Sequence, residues 1–388
     1  MTIENWYSEN FESNLKGRYI EPTSIKPLIE NYKTVFDISV PGQSEMGLDI
    51  PLIKLGNGKK VVLAWSQMHG NESTTTKAVF DFLKFIGQKQ YFHNEIGKFL
   101  NSHTLYILPI LNPDGSKLYT RENANGIDLN RDAQQLSQKE SQCLRSVFNG
   151  IKPSLCLNLH DQRSIYGLDN GMPAIVSFLS PAADEKRTIT ASRQTAMRHI
   201  VGINNVLQKY IPEQIGRYDD SYNSACVGDT FQGEEVPTIL FEAGHTNGDY
   251  NREKTREYIF YAMLAVFGIT GNGAGEVDYE DYFKIPENQK NYKDIIIRNV
   301  KLDDHSDLTS VAFQYREVLV KDEIHLEPFI DEIGMLTDYY GYVEKDVKGA
   351  EILTNPQEKL TVGTKISEII DKSGKSVIFF HKIGSILT

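Results

Sequence analysis

Cysteine is scarce in this chain, which has only Cys143, Cys156 and Cys226 among its 388 residues. An odd number of widely spaced cysteines does not make a disulfide framework, so a disulfide-stapled scaffold is excluded and a reduced, cytoplasmic setting is predicted. Long apolar runs are missing as well. No stretch approaches the roughly 20 apolar residues that span a bilayer, and the start MTIENWYSEN lacks the basic and apolar regions of a secretory signal. We therefore expect no membrane partner.

Positive charge is in the minority, since 41 Lys and Arg residues stand against 52 Asp and Glu residues and give a formal net charge of −11. A net negative field repels the phosphate backbone, so no nucleic-acid partner is predicted. The chain is 40% hydrophobic and 388 residues long. This length suits two or three domains and a core large enough to carry a cleft.

Between about residues 48 and 268, short apolar runs alternate with segments of helical periodicity. The runs rich in Val, Ile, Leu or Phe predict strands at 48–55, 60–66, 104–111, 154–159, 174–179 and 237–242. Helical periodicity predicts helices at 78–86, 138–148, 184–211 and 258–267. This alternation is typical of an α/β fold with helices packed on a mostly parallel sheet.

The stretch 268–275 contains four glycines, which neither a helix nor a strand accommodates well. We place a domain boundary there. After it, strand-like pieces at 295–300, 311–320 and 376–380 are separated by acidic, turn-rich loops. The sequence therefore predicts a catalytic domain over 1–270 and a smaller β-rich C-terminal domain over 276–388.

A candidate metal site begins at His69 and Glu72, which stand three residues apart directly after the predicted strand 60–66. Strand ends are where α/β proteins bind ligands, and this spacing can bring an imidazole nitrogen and a carboxylate oxygen to one point. His160 ends the apolar run 155–159 and supplies a third group, although a histidine there is also commonly a cap. Together the three residues make a His2Glu set with one position left for water, which is the catalytic arrangement of zinc.

Two arginines, Arg121 and Arg131, follow the turn sequence NPDG at 112–115. A guanidinium group binds a carboxylate through paired hydrogen bonds, and Asn130 can add a neutral donor to the same oxygens. Asp128 can accept the free ring N–H of a metal-bound histidine and so fix its tautomer. The alternative is that the segment DLNRD forms surface salt bridges, which contribute little.

Glu242 ends the predicted strand 237–242, where an apolar segment meets the cleft. We expect burial to raise the pKa of this carboxyl group and to suit it to the work of a general base. The alternative for a carboxylate at a strand end is a cap for the next helix.

The sequence resembles the zinc carboxypeptidase family over roughly residues 45–268. The shared features, in order, are His69-x-x-Glu72, NPDG followed by Arg121, Asp128-x-Asn130-Arg131, His160 and Glu242. Each motif alone is unspecific, whereas five in this order are specific. The resemblance implies a three-layer α/β/α sandwich around a mixed eight-stranded sheet.

The same resemblance implies roles for single residues. One Zn²⁺ per chain is held by His69, Glu72 and His160, with Asp128 supporting a ligand histidine. Asn130 and Arg131 hold the terminal carboxylate of the substrate, Arg121 polarises the scissile carbonyl, and Glu242 activates water. The predicted function is a metallopeptidase of carboxypeptidase type, which hydrolyses a C-terminal peptide bond next to a free carboxylate.

Several positions depart from the pattern of many relatives. Where these carry serine after the third ligand, this chain has Asp161, and with Arg163 it is expected to add a carboxylate and a cation at the cleft mouth. Tyr218 and Tyr222 both lie where the peptidases keep a mobile tyrosine, and both stay candidates for substrate contact. Asp229 either favours a cationic side chain or caps a turn, and we prefer the cap.

The tail suggests an alternative. Residues 361–375 look like the hairpin module of the deacylase branch, which includes aspartoacylase and succinylglutamate desuccinylase, whereas NPDG favours peptidases. The predicted substrate is thus a peptide, or an N-acyl amino acid, with a free carboxylate. A third hypothesis is a catalytically dead peptide-binding protein on the same scaffold. A homodimer is left open, and the tail is otherwise a β-domain that shields the catalytic domain or forms a dimer contact.

Overall fold

A computed structural model describes residues 1–269, 277–302, 307–356, 359–380 and 386–387. The chain divides into two compact units. The first comprises Met1–Gln162, Ala174–Gly244 and Asn251–Asn288, and the second comprises Arg163–Pro173, His245–Tyr250 and Gln289–Thr388. The predicted boundary in the glycine run falls largely on 270–276, which lie outside the described residues. The division into 1–270 and 276–388 stays a prediction.

The first unit is built on a mixed eight-stranded sheet in the order β1-β2-β4-β3-β5-β8-β6-β7. The strands are β1 (Asp37–Gln43), β2 (Asp49–Leu55), β3 (Lys60–Ser66), β4 (His103–Leu108), β5 (Leu155–Asp161), β6 (Val176–Leu179), β7 (Ile215–Arg217) and β8 (Thr238–Ala243). The central strands β4, β3, β5 and β8 are parallel to one another, whereas the pairs β1–β2, β2–β4 and β6–β8 are antiparallel. The carboxyl ends of β3, β5 and β8 therefore share one edge of the sheet.

Helices cover both faces of this sheet. They are α1 (Ile3–Asn10), α2 (Pro22–Tyr32), α3 (Thr74–Gly87), α4 (His93–Ser102), α5 (Pro113–Leu118), α6 (Lys139–Ile151), α7 (Ala191–Leu207), α8 (Val227–Gly233) and α9 (Glu253–Val266). Buried residues of α3, α7 and α9 pack in one core, and those of α6 and α8 pack in a second. The predicted α/β/α sandwich around a mixed sheet is thus confirmed. In the part of the chain with described coordinates, no helix is long and apolar enough to cross a bilayer.

The strand β3 shows why the sheet has two cores. Its side chains alternate between faces, so that Val62 and Ala64 join the core of α3 while Leu63 and Trp65 join the core of α6. All four are buried. A central strand with helices on both sides must be apolar at every position, which explains the continuous hydrophobic run seen in the sequence.

The sequence misplaced some elements. The strand predicted at 104–111 ends at Leu108, because Pro109 has no N–H to continue the ladder. The helix predicted at 184–211 is confined to Ala191–Leu207, with Thr190 accepting a hydrogen bond from the Arg193 N–H at its start. The edge strand β1 was missed, since its sequence DISVPGQ has few apolar residues and contains a proline, as edge strands tolerate.

The second unit is rich in strands, as predicted for the tail. One four-stranded sheet has the order β11-β10-β9-β12 and another has the order β13-β14-β15-β16. The strands are β9 (Tyr292–Val300), β10 (Thr309–Val320), β11 (Glu323–Gly334), β12 (Tyr340–Asp346), β13 (Ile352–Thr354), β14 (Glu368–Asp371), β15 (Ser376–Phe380) and β16 (Ile386–Leu387). Side chains from both sheets, among them Ile297, Phe313 and Ile369, share one apolar core.

A buried ion pair joins α3 to α9 in the first unit. The Arg256 guanidinium donates to both oxygens of Asp81 at 2.6 and 2.7 Å, and both side chains are completely buried. The same guanidinium donates to the carbonyls of Leu15 and Glu12 at 2.7 and 2.8 Å. The pair therefore ties the N-terminal segment to the two helices.

We expect Asp81→Ala to destabilise the first unit by about 3–5 kcal/mol, because it removes the buried counter-ion of Arg256 and leaves only the partly exposed Glu253, whose Oε2 lies 3.0 Å from Nη1. The free energy of unfolding of the metal-free protein, measured by urea denaturation, checks this. Asp37→Ala is the matched control, since Asp37 is 76% exposed and its nitrogen–oxygen distance to Lys54 is 3.9 Å. Equal losses in the two variants would contradict the interpretation.

Candidate metal centre

The loop between β3 and α3 carries His69 and Glu72 at the sheet edge. Gly70 lies so close to α5 that a Cβ atom there would stand 1.9 Å from the carbonyl carbon of Gly115, so only glycine fits. Gln67 adopts the left-handed conformation at φ 50°, although it is not glycine. Its side-chain amide donates to the Gly70 carbonyl at 2.8 Å and fixes the turn. The loop is thus held in one shape before any ligand binds.

His160 and Glu242 come from the neighbouring strands β5 and β8. These strands are parallel, and their register pairs His160 directly with Glu242. Paired residues on adjacent strands point to the same face, so both side chains lie on the side of the sheet covered by α6 and α8. The pleat therefore brings Glu242 beside the third candidate ligand.

Three potential ligand groups converge at this edge. His69 Nδ1 lies 2.8 Å from Glu72 Oε1, His160 Nδ1 lies 2.8 Å from Glu72 Oε2, and the two Nδ1 atoms are 3.2 Å apart. All three residues are buried, and their ligand atoms fall within 4.8 Å of one another. The arrangement predicted from the sequence is therefore one that could hold a metal ion.

Asp128 places a proton on one nitrogen of the His69 imidazole. Its Oδ1 lies 3.1 Å from His69 Nε2, and an ionised carboxylate can only accept, so Nε2 carries a proton. The other nitrogen, Nδ1, faces Glu72 and His160, and it becomes a ligand atom when it gives up its own proton. Two imidazole nitrogens and a carboxylate then form an electron-rich centre, which a divalent cation satisfies. The donor set fits the zinc that the family resemblance implies, because two nitrogens and a carboxylate suit Zn²⁺ better than Ca²⁺ or Mg²⁺.

The pKa values reflect this crowding of charge. Burial lowers the pKa of His69, but the carboxylates of Glu72 and Asp128 outweigh it and raise the net value above the ordinary range. Burial opposes ionisation of Glu72, yet the two histidines hold its pKa well below the usual value. Burial lowers the pKa of His160. Glu72 is therefore ionised and His160 neutral near pH 7, as metal ligands must be.

Glu242 differs sharply from Glu72. Burial first, and the nearby charges of Glu72 and Asp161 next, raise its pKa well above the ordinary value. The cations Arg121 and Arg252 act in the opposite direction but do not outweigh these two causes. Two carboxyl groups at one centre with pKa values pushed apart are the pattern of an acid–base pair.

Arg121 faces the same centre from the loop after α5. Its Nε donates to Asp128 Oδ2 at 3.0 Å, and its Nη1 lies 3.2 Å from His69 Nδ1 and 3.4 Å from Glu72 Oε1. The side chain is 41% exposed, so it borders both the buried ligands and the solvent. A cation in this position can stabilise negative charge that develops next to the ligands.

The segment after Asp128 carries the second cation. The Asn130 N–H donates to Asp128 Oδ1 at 2.8 Å, and Asn130 Oδ1 accepts from the Val227 N–H at 3.0 Å. Arg131 is exposed, with Nη1 2.7 Å from the Asn130 carbonyl oxygen and 3.1 Å from Cys226 Sγ. Sequence reasoning missed Cys226, because a single cysteine far along the chain gives no signal of this contact.

The other predicted contacts are less tightly defined. Tyr218 follows β7 and is half-buried. Tyr222 lines an open polar cavity of about 420 Å³ together with Glu185, Arg187, Ser221, Asn223 and Ser224. Arg163 is exposed and begins the second compact unit. Asp229 accepts the Asn223 N–H at 3.3 Å, which agrees with a turn cap, and burial raises its pKa to about 6.

Asp161 lies elsewhere than expected. The sequence suggested a carboxylate at the cleft mouth, but Asp161 alternates with His160 along β5 and points to the opposite face. There its side chain is 2% exposed and pairs with Arg18 at 2.7 Å. The expectation failed because it neglected the pleat of the strand, and Arg18 was missed because its contacts are distant in sequence.

The first unit is thus a mixed α/β/α sandwich with a candidate His2Glu centre at its strand ends. Residues 23–180 match the zinc carboxypeptidase family. The resemblance predicted from the sequence is thereby confirmed for this part of the chain, which is about two fifths of its length.

Individual relatives are distant. Carboxypeptidase M of Mus musculus is 24% identical over 182 residues, which cover 40% of this chain and 41% of that protein. Carboxypeptidase 2 of Trichophyton tonsurans is 25% identical over 129 residues, covering 31% and 23%. The chain therefore spans less than half the length of these curated relatives.

Solved structures agree in fold. A metallo-carboxypeptidase from Burkholderia cenocepacia matches with a TM-score of 0.50 and 16% identity, covering 63% of this chain and 68% of that one. A metallo-carboxypeptidase from Pseudomonas aeruginosa, in complex with (2-guanidinoethylmercapto)succinic acid, also has a TM-score of 0.50 and 16% identity, covering 64% and 70%. These similarities show a shared fold over about two thirds of the chain.

The raised pKa of His69 predicts how zinc binding depends on pH. Below that pKa the metal-free site holds a proton on His69 that zinc must displace. The affinity for zinc therefore falls as the pH is lowered, by about tenfold per pH unit when one proton is displaced. Competition with a chromophoric chelator at several pH values between about 8 and 5 measures this. An affinity independent of pH in this range would contradict a histidine ligand at the site.

Proposed function

We propose that the protein is a zinc-dependent hydrolase of carboxypeptidase type, which cleaves a C-terminal peptide bond next to a free carboxylate. The observation that carries this proposal is the convergence of His69 Nδ1, His160 Nδ1 and the Glu72 carboxylate, with Glu242 beside His160 in the sheet register. Three protein ligands leave a coordination position open, as catalytic zinc sites require.

The proposed chemistry divides between the metal and the chain. When bound, zinc would lower the pKa of a water molecule and polarise the substrate carbonyl. Glu242 would accept a proton from the attacking water and return it to the leaving amine, and its raised pKa favours the first of these transfers. The half-exposed guanidinium of Arg121 would stabilise the negative charge that develops on the carbonyl oxygen.

Arg131 and Asn130 are the proposed clamp for the terminal carboxylate. Arg131 is exposed, and the bond from Val227 to Asn130 Oδ1 orients that amide and leaves its Nδ2 group for a ligand. A guanidinium and an amide together suit a carboxylate. The Pseudomonas aeruginosa structure contains a succinic acid derivative, which is a carboxylate ligand and is consistent with this assignment.

The other hypotheses have weaker support. The hairpin of β14 and β15 forms within the tail that suggested a deacylase, but the family comparisons name carboxypeptidases. A dead binding scaffold would have no need of Glu242, which is buried here beside the ligands. A panel of short peptides and N-acyl amino acids separates peptidase from deacylase.

The first prediction for this function concerns Glu242→Gln. The amide keeps the volume but cannot take a proton, so kcat should fall by about 10²–10⁴-fold while the zinc content stays at one per chain. Hydrolysis of a peptide substrate and metal analysis of the same preparation measure both quantities. Glu234→Gln is the control, since Glu234 is exposed and pairs with Arg145. Full activity of the Glu242→Gln variant would show that Glu242 does not transfer the proton.

A second prediction concerns Arg131→Ala. Loss of a charge-assisted pair should lower kcat/KM on peptides with a free C-terminal carboxylate by roughly 10- to 150-fold, with much less effect on amidated peptides. The control is Lys139→Ala, which removes an exposed cation at the start of α6. If Arg131→Ala slowed both kinds of peptide equally, the clamp would be wrong.

A further inference from the structure

A short N-terminal segment, residues 18–20, binds the loop that carries His69 and Glu72. The Ser73 hydroxyl donates to the Arg18 carbonyl at 2.5 Å, and the Gln67 amide donates to the Ile20 carbonyl at 2.6 Å. The segment precedes residues 23–180, which match the family. The family match therefore does not describe this segment.

The side chain of Arg18 makes a second set of contacts beneath the loop. Its Nη1 donates to Asp161 Oδ2 at 2.7 Å and to Thr74 Oγ1 at 2.6 Å, and its Nη2 lies 3.4 Å from the Asn71 carbonyl oxygen. Arg18 is 5% exposed and Asp161 2% exposed at the side chain. One buried guanidinium thus bridges the residue before Glu72 and the residue after His160.

Asp161 extends this bridge into both ligand segments. Its carboxylate accepts from the Thr74 N–H at 3.1 Å, from the Thr74 hydroxyl at 2.6 Å and from the Thr75 N–H at 3.4 Å, which fixes the first turn of α3. Its own backbone N–H donates to Glu72 Oε2 at 3.2 Å. Asp161 therefore acts on the ligand Glu72 through its backbone and on the start of α3 through its side chain.

The charge balance makes Arg18 the main counter-ion of Asp161. The other cation nearby, Arg252, has its Nη1 3.9 Å from Asp161 Oδ2 and donates to the Ala243 carbonyl at 2.6 Å. A buried carboxylate that loses its close partner must find another donor or water, and that change moves the groups bonded to it. A metal centre tolerates displacements of only about 0.5 Å in its ligands.

We infer that Arg18 is a positioning residue for the metal centre, which acts through Asp161 to hold Glu72 and His160 in the geometry that retains the ion. The inference rests on the zinc site proposed above. It adds to that site a determinant of metal retention on the opposite face of the sheet.

Zinc dissociation from Arg18→Met tests the inference. Methionine keeps much of the side-chain length but removes the charge and the donors, so zinc transfer to an excess of chelator should be about 10- to 100-fold faster than from the unaltered protein. Arg18→Lys, which keeps the charge but not the fork of donors, should be intermediate. The visible absorption spectrum of the Co²⁺-substituted protein should shift in the methionine variant, because it reports ligand geometry.

Lys77→Met is the matched control. Lys77 lies on α3 three residues after Thr74 and is equally buried, but its Nζ binds Glu253 at 2.7 Å and the Asn251 carbonyl at 2.8 Å. The Lys77→Met substitution should lower the free energy of unfolding of the metal-free protein without changing the zinc dissociation rate or the Co²⁺ spectrum. This separates loss of stability from loss of ligand geometry.

The outcomes distinguish the two proposals. If the unaltered protein binds no zinc, the proposed function and this inference both fail. If it binds zinc and Arg18→Met releases the ion no faster than Lys77→Met, the inference alone is overturned. Should Arg18→Met not fold, Thr74→Val decides, since it removes only the hydroxyl shared by Arg18 and Asp161. Several-fold faster release from that variant supports the inference, and an unchanged rate overturns it.

Discussion

The meeting of two imidazole lone pairs and a carboxylate at one point is the interaction on which the rest of the candidate site depends. The His69 and His160 Nδ1 atoms are 3.2 Å apart, and each is 2.8 Å from an oxygen of Glu72. Two unprotonated nitrogens at that distance repel each other unless a proton or a cation lies between them. Asp128 holds a proton on the opposite ring nitrogen of His69, so Nδ1 is the nitrogen that faces the centre and could bind a cation. The close approach of Gly70 to Gly115 and the shared edge of the parallel strands β3 and β5 create this geometry.

At the end of β5, successive side chains point to opposite faces of the sheet and have different partners there. His160 and Glu242 point to the face where the other ligands gather, while the adjacent Asp161 points to the face covered by α3 and bonds its first turn. The candidate ligands on one face of the sheet thus lie next to an ion pair on the other face. A buried carboxylate without a partner would destabilise the protein on either face of the sheet. The two histidines stabilise the charge of Glu72, and Arg18 stabilises the charge of Asp161.

Much of this organisation could be predicted because it follows from short stretches of sequence. Buried strands such as β3 and β5 are continuous apolar runs, and the candidate ligands His69, Glu72 and His160 follow those runs directly. What could not be predicted is held by contacts between distant segments. Arg18 meets Asp161 across 143 positions of the sequence, and no periodicity signals such a pair. The edge strand β1 is polar and contains Pro41, so it lacks the hydrophobic pattern by which strands are recognised.

The distribution of exposure around the centre separates the groups that hold it from the groups that face a ligand. The side chains of His69 and His160 are 3% exposed, whereas that of Arg121 is 41% exposed and Arg131 is exposed as well. Asp128 joins the two sets, because it accepts hydrogen bonds from His69, from Arg121 and from the backbone of Asn130. A carboxylate ligand drawn to Arg131 would therefore act on a segment that also fixes the tautomer of a buried histidine. In the proposed function, recognition of substrate charge and orientation of the metal ligands would depend on the same aspartate.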